Sequence, residues 1–187
     1  MFQLTVSRFF GHFGRQSTVL RPRGIEGIDN IHIGDGVYVA AGGLFAAVPL
    51  TGAEKCELKI GDGCKIGANN HFYATRSVVL EDQVLTASNV YVADNSHKYT
   101  DPTQAISNQP IQQLENVRIG EGTWLGQNVC IIGVTIGRGC VIGANAVVLD
   151  HIPDYCVAVG APARIVRRLD RNSGRWIRVH SQPAHMD

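Results

Sequence analysis

The chain has 187 residues, 44% of them apolar and 18% charged, with a formal charge of +1. That is apolar enough for a buried core and too apolar for a disordered chain. The balanced charge lacks the basic excess of a nucleic-acid binder, and no apolar run approaches the roughly 20 residues of a membrane-spanning helix.

The start, MFQLTVSRFFGHFGRQ, is amphipathic. It has no long apolar stretch and no small-residue cleavage site, so it does not read as a signal peptide. Residues 1–29 are expected to form an N-terminal segment within a single domain spanning 1–187. Residues 1–25 are too short for an added nucleotide-binding domain.

From Ile33 onward the chain steps by sixes. IGDGVY begins at Ile33 and VAAGGL at Val39. IGDGCK (Ile60), IGANNH (Ile66) and FYATRS (Phe72) follow, then LEDQVL (Leu80) and TASNVY (Thr86). The register slips between Phe72 and Leu80. After a break, IGEGTW (Ile119), LGQNVC (Leu125), IGRGCV (Ile136) and IGANAV (Ile142) resume the pattern. One aliphatic side chain points inward per step, and a small residue follows where a Cβ would crowd the turn. This short period predicts a parallel β-helix, all-β, with about three steps per coil. No coil buries its own apolar face, so about five must stack over residues 30–163. A jelly roll or sandwich would need alternating strands at longer spacing. GDGCKIG and GRGCVIG are one residue too long for a dinucleotide fingerprint, and no helical segment follows either.

The break, Val92–Val117, contains no sixfold step and holds His97 in DNSHKYTDP. Residues 93–116 are expected to form a loop extruded from one coil. A regular prism has flat faces, and a loop thrown out of it can wall off a cleft.

The five cysteines, Cys56, Cys64, Cys130, Cys140 and Cys156, form no C-x-x-C pair and are odd in number. They predict buried thiols in a reducing cytoplasm rather than disulfides or a zinc site.

The segment IGEGTWLGQNVCIIGVTIGRGCVIGANAVVLDHIPDYCVAVGAPARIVRR, with the aliphatic-Gly steps before it, resembles the hexapeptide-repeat acyltransferases. It is similar to the last coils of the maltose, galactoside and surface-polysaccharide sugar O-acetyltransferases. The resemblance implies a left-handed coil, a C-terminal helix and tail over 164–187, and a cytoplasmic homotrimer with sites between subunits. It implies acetyl-CoA as co-substrate, no metal, and a sugar hydroxyl as acceptor, as in surface polysaccharide or O-antigen biosynthesis.

Transferred residue by residue, the resemblance makes His97 the general base. An imidazole suits proton removal from an attacking hydroxyl because its ordinary pKa, near 6.5, lies close to working pH. Asp94, Asn95 or Asp101 would orient its ring, and the sequence does not choose among them. Asn69 is the candidate for positioning the acceptor hydroxyl, and His71 could line the same cleft. Trp124, Gly126, Gln127, Gly143 and Ala144 would border the CoA arm. Arg164, Arg167 and Arg168 would meet the CoA phosphates. Asp150-His151 stands where the family often has Lys-Asp, which removes one expected basic contact.

Other readings predict different observations. An N-acetyltransferase of amino or nucleotide sugars, or of an antibiotic, would take an amine. A non-catalytic β-helix scaffold would bind no CoA. A carbonic-anhydrase-like protein would need a close histidine pair for zinc, and no second histidine lies within ten residues of His97.

Overall fold

A computed structural model describes residues 6–179. Short strands recur along it in triplets. β1 (His12–Phe13), β2 (Thr18–Val19) and β3 (Gly24–Glu26) precede β4 (Ile31–Ile33), β5 (Tyr38–Val39) and β6 (Leu44–Ala47). Next come β7 (Glu57–Ile60), β8 (Lys65–Ile66) and β9 (His71–Ala74), then β10 (Ser77–Leu80), β11 (Leu85–Thr86) and β12 (Tyr91–Ala93). An antiparallel pair, β13 (Asn95–His97) and β14 (Ile111–Gln113), interrupts them. The triplets resume with β15 (Val117–Ile119), β16 (Trp124–Leu125) and β17 (Cys130–Ile132), then β18 (Thr135–Ile136), β19 (Val141–Ile142) and β20 (Val147–Val148). β21 (Cys156–Val159), β22 (Arg164–Asp170) and β23 (Arg175–Arg178) close the described chain.

First, second and third members of the triplets stack into three separate parallel sheets. We call these faces one, two and three. The result is a three-sided parallel β-helix. Its interior is filled by columns in register. Ile33, Ile60, Leu80, Ile119 and Ile136 stack on face one. Phe45, Phe72, Val92, Ile131 and Val148 stack on face three. All ten are buried, and each large side chain contributes about 1.5–3 kcal/mol by leaving water.

Where glycine follows an inward aliphatic, the stacking gives the reason. A Cβ on Gly126 would lie 2.6 Å from the Ala144 nitrogen in the coil above. Face two contains one polar member of its column, Thr86, buried between Ile66 and Leu125. The buried Asn70 amide donates to the Thr86 hydroxyl, and the Asn70 oxygen accepts the Val90 N–H at 2.7 Å. This pair holds a turn together from inside.

Two expectations are corrected. The sheets begin at His12, so residues 12–26 form a triplet rather than a separate segment. Phe13, Val19 and Ile25 carry the six-residue spacing, with phenylalanine standing where later steps have isoleucine. The helix expected from Arg164 is absent through residue 179. β22 pairs antiparallel with β21, and β23 with β22. The last strand of face two would otherwise expose its backbone edge, and pairing outweighs the weak helical preference of this segment. Residues 180–187, including His180 and His185, lie outside the described residues.

Candidate active site

The break in the repeat is an antiparallel ribbon rooted in one carboxylate. Asp94 is fully buried. Its Oδ1 accepts the Thr75 N–H at 2.8 Å, the Thr75 hydroxyl at 2.9 Å and the Asn95 amide at 3.1 Å. Its Oδ2 accepts the Arg76 and Ser77 N–H groups at 2.7 and 2.8 Å. Burial pushes this carboxyl up, but the donors outweigh burial and hold it below its ordinary value. From the other strand, Gln113 donates to the Asp94 carbonyl at 2.7 Å and accepts from Thr75 at 3.1 Å and Thr51 at 2.5 Å. Thr75, Arg76 and Gln113 did not stand out in the sequence. Their signal was the slip between Phe72 and Leu80, which marks the turn that Asp94 caps.

The ribbon's far end is also closed on itself. Gln109 is buried and donates to the Asp101 carbonyl at 2.9 Å. Asp101 accepts from the Thr103 N–H at 2.9 Å and the Gln104 amide at 2.7 Å. His97 ends β13 with its backbone opposite Ile111, and its side chain is exposed. Among the described residues its imidazole makes no hydrogen bond or ion pair. Asp94, Asn95 and Asp101 are therefore engaged elsewhere and do not hold the His97 ring within this chain. Asn95 donates instead to the Tyr73 carbonyl at 3.3 Å.

The other candidates gather at a different corner. Asn69, Gly126, Gln127, Gly143 and Ala144 lie on the turns between faces two and three. Asn69, Asn89, Asn128 and Asn145 occupy the tip of this corner with φ of 57°, 60°, 59° and 61°. Asparagine tolerates this left-handed conformation better than most residues. Asn89 donates to Asn128 at 3.1 Å and Asn128 to Asn145 at 2.9 Å, forming an exposed amide ladder. Trp124 leads into the same corner. It is 47% exposed and stands in register between Leu85 and Val141. The ribbon leaves from the corner between faces three and one. Face three, about 10–15 Å of extended strand, therefore lies between the ribbon's root and the turns that carry the amide ladder.

Arg164, Arg167 and Arg168 lie on β22. Arg164 pairs with Asp150 at 3.1 Å. His151 accepts the Thr135 N–H at 3.0 Å and sits 3.2 Å from a Glu115 carboxylate oxygen. His71 is half-buried on the outer side of face three, 6.1 Å from the Tyr73 ring and 5.1 Å from the Tyr91 ring. Burial, then the Arg23 charge, push its imidazole below the ordinary value. The five cysteines are free, and burial pushes Cys56, Cys64 and Cys140 up to about 11. Such thiols are poor nucleophiles. No group of three or more His, Cys, Asp or Glu among the described residues is arranged to hold a metal ion.

The family model for the hexapeptide repeat of succinyl-transferase matches residues 57–93 and 116–150. Those two blocks carry the hexapeptide repeat. The two matched blocks end where the ribbon begins and restart where it returns. The chain is similar to a probable acetyltransferase of Mycobacterium tuberculosis, 42% identical over 116 residues, covering 62% of this chain and 38% of the relative. It is similar to the putative lipopolysaccharide biosynthesis O-acetyl transferase WbbJ of Escherichia coli, 34% identical over 122 residues, covering 62% of each. The match thus spans less than two thirds of either relative's length. Its fold is that of AntD, an N-acyltransferase from Bacillus cereus in complex with dTDP and 3-hydroxybutyryl-CoA. That likeness has a TM-score of 0.74 at 18% identity and covers 89% of this chain and 87% of the other. No helix among the described residues is long and apolar enough to cross a membrane.

Proposed function

We propose that this hexapeptide-repeat chain is an acetyl-CoA-dependent acetyltransferase acting on a sugar hydroxyl, with His97 as general base. The observation that carries the reading is the placement of His97. It is an exposed imidazole with no hydrogen-bond or ion-pair partner among the described residues, at the end of a ribbon whose root is fixed by Asp94 and Gln113. The role agrees with the WbbJ relative, named for O-acetyl transfer.

In the proposed step, His97 takes the proton of the acceptor O–H as its oxygen attacks the thioester carbonyl. The C–O bond forms, the C–S bond breaks, and the CoA sulfur leaves and is protonated. No covalent enzyme intermediate and no metal are required. A base in this position contributes about 10²–10⁴-fold in rate. Trp124, Gly126, Gln127, Gly143 and Ala144 line the corner along which the CoA arm would lie. Arg167 and Arg168 would approach the phosphates, with Arg164 turned toward them once it releases Asp150. Asn69 would orient the acceptor from the same corner.

Because face three lies between the ribbon's root and that corner, one chain does not bring the two together. A second copy supplies the missing half, in a cytoplasmic left-handed trimer with sites between neighbours. Asp94 and Asn95 then act through the ribbon as positioning residues. A second reading, transfer to an amine, is favoured by the AntD fold likeness. Incubation of the full chain with acetyl-CoA and a mixed pool of free, amino and nucleotide sugars, read by mass, tests both. An O-acetyl product supports the main reading, an N-acetyl product the second, and no transfer with no acetyl-CoA binding refutes both.

A further inference from the structure

We propose that the β22–β23 hairpin docks this protein on an anionic membrane surface. The segment Arg164–Arg178 holds six arginines and one acid, Asp170, for a charge of +5. The rest of the chain, with 11 basic and 15 acidic residues, carries −4. Two of the arginines are engaged. Arg164 pairs with Asp150, and Arg171 lies over the Tyr155 ring and 3.9 Å from Asp154. Arg167, Arg168, Arg175 and Arg178 make no ion pair among the described residues.

The strand register sorts these arginines onto both faces of the hairpin. Arg167 opposes Arg178, and Leu169 opposes Trp176. On the other face Arg168 opposes Ile177, and Asp170 opposes Arg175. Each face thus bears two arginines and one bulky exposed apolar side chain. Trp176 is 40% exposed and Ile177 52%, and every residue from Arg171 to Val179 is exposed. Arginines alone on an edge strand would be explained as protection against edge-to-edge pairing. That does not explain a tryptophan and an isoleucine left in water beside them.

Basic side chains among exposed Trp and aliphatic residues match the headgroup layer of an anionic bilayer. Guanidinium groups meet lipid phosphates, and the apolar groups enter the acyl boundary. A polynucleotide would use the charge but leave Ile177 without a role. The same hairpin on a second copy would repel, since both carry the same positive charge. Docking of this kind needs no spanning segment, and it does not depend on acetyl transfer.

The test uses the full chain without acetyl-CoA, and vesicles of phosphatidylcholine with or without phosphatidylglycerol. The proposal expects co-sedimentation with the anionic vesicles only, a blue shift of tryptophan emission, and loss of binding as salt rises. R175E/R178E should weaken partition by about tenfold or more. W176S/I177S, which keeps every charge, should also weaken it. Thermal melts of both variants should match the parent, because the substituted side chains are exposed. Binding to neither vesicle overturns the proposal. So does unchanged binding by R175E/R178E, or displacement of the protein from vesicles by duplex DNA at equal phosphate.

Discussion

The carboxylate of Asp94 accepts both the backbone N–H of Thr75 at 2.8 Å and its hydroxyl at 2.9 Å. One buried charge therefore ties the start of the ribbon to the turn between β9 and β10. Asp94→Asn would turn amide hydrogens toward backbone donors and remove the charge from five hydrogen bonds. We expect a loss of about 2–3 kcal/mol by denaturant titration. Because the folded carboxyl titrates below its ordinary value, this anchor is complete above that value and is lost as pH falls through the lower, folded one. Hydrogen exchange of the ribbon amides should rise in acid in the parent and already be raised at neutral pH in the variant.

Face two is aliphatic in its column except at Thr86. Thr86→Val suits the column but leaves the buried Asn70 amide without its acceptor. The expected outcome is destabilisation by about 1–3 kcal/mol despite the better hydrophobic match. A variant as stable as the parent would show that the Asn70–Thr86 pair is dispensable.

At the corner between faces two and three, Asn128 both donates and accepts in the amide ladder while holding a left-handed backbone. Asn128→Gly keeps the conformation and loses the ladder, and Asn128→Ala loses both. The melting temperatures should fall in that order, with alanine the worse by about 1 kcal/mol. Equal losses would mean that the ladder alone matters.

His71 tests the electrostatics of face three. Its imidazole is held below the ordinary value, first by burial and then by Arg23. The folded protein thus takes up this proton later than the unfolded chain as pH falls. Stability from His71 is complete above the ordinary value, near 6.5, and declines below it toward the folded value. NMR titration of the ring protons should give a midpoint below 6.5. Arg23→Gln should move that midpoint upward.

The parallel stack was legible because Ile33, Ile60, Ile119 and Ile136 repeat one physical requirement, an inward aliphatic followed by glycine. The first triplet is hidden because Phe13 is an aromatic residue before its glycine and Ile25 is followed by Glu26, so neither shows the isoleucine-glycine pair. The tail was misread for a different reason. Ile165, Val166 and Leu169 fit a helical face as well as a strand, and only the free edge of β21 decides between them. At the site, the break around His97 was visible, but its support was not. Asp94 reads in sequence as a partner for His97, whereas its acceptors are filled by Thr75, Arg76 and Ser77. Donors contributed by the backbone of another coil leave no trace in local sequence.

The ribbon's root and the Trp124 corner lie on either side of face three, which has a kinetic consequence. His97→Ala and Trp124→Ala chains should each transfer poorly. Refolded together, they should regain part of the activity, because some mixed sites take His97 from one chain and Trp124 from its neighbour. Mixed chains no more active than the separate variants would place both residues in one chain's site.

The most direct test of the account is the acetyl-transfer rate of His97→Ala beside its affinity for acetyl-CoA. Loss of a general base predicts kcat lower by about 10²–10⁴-fold with acetyl-CoA binding unchanged. A variant that transfers at the parent rate would contradict the assignment of His97 as the base.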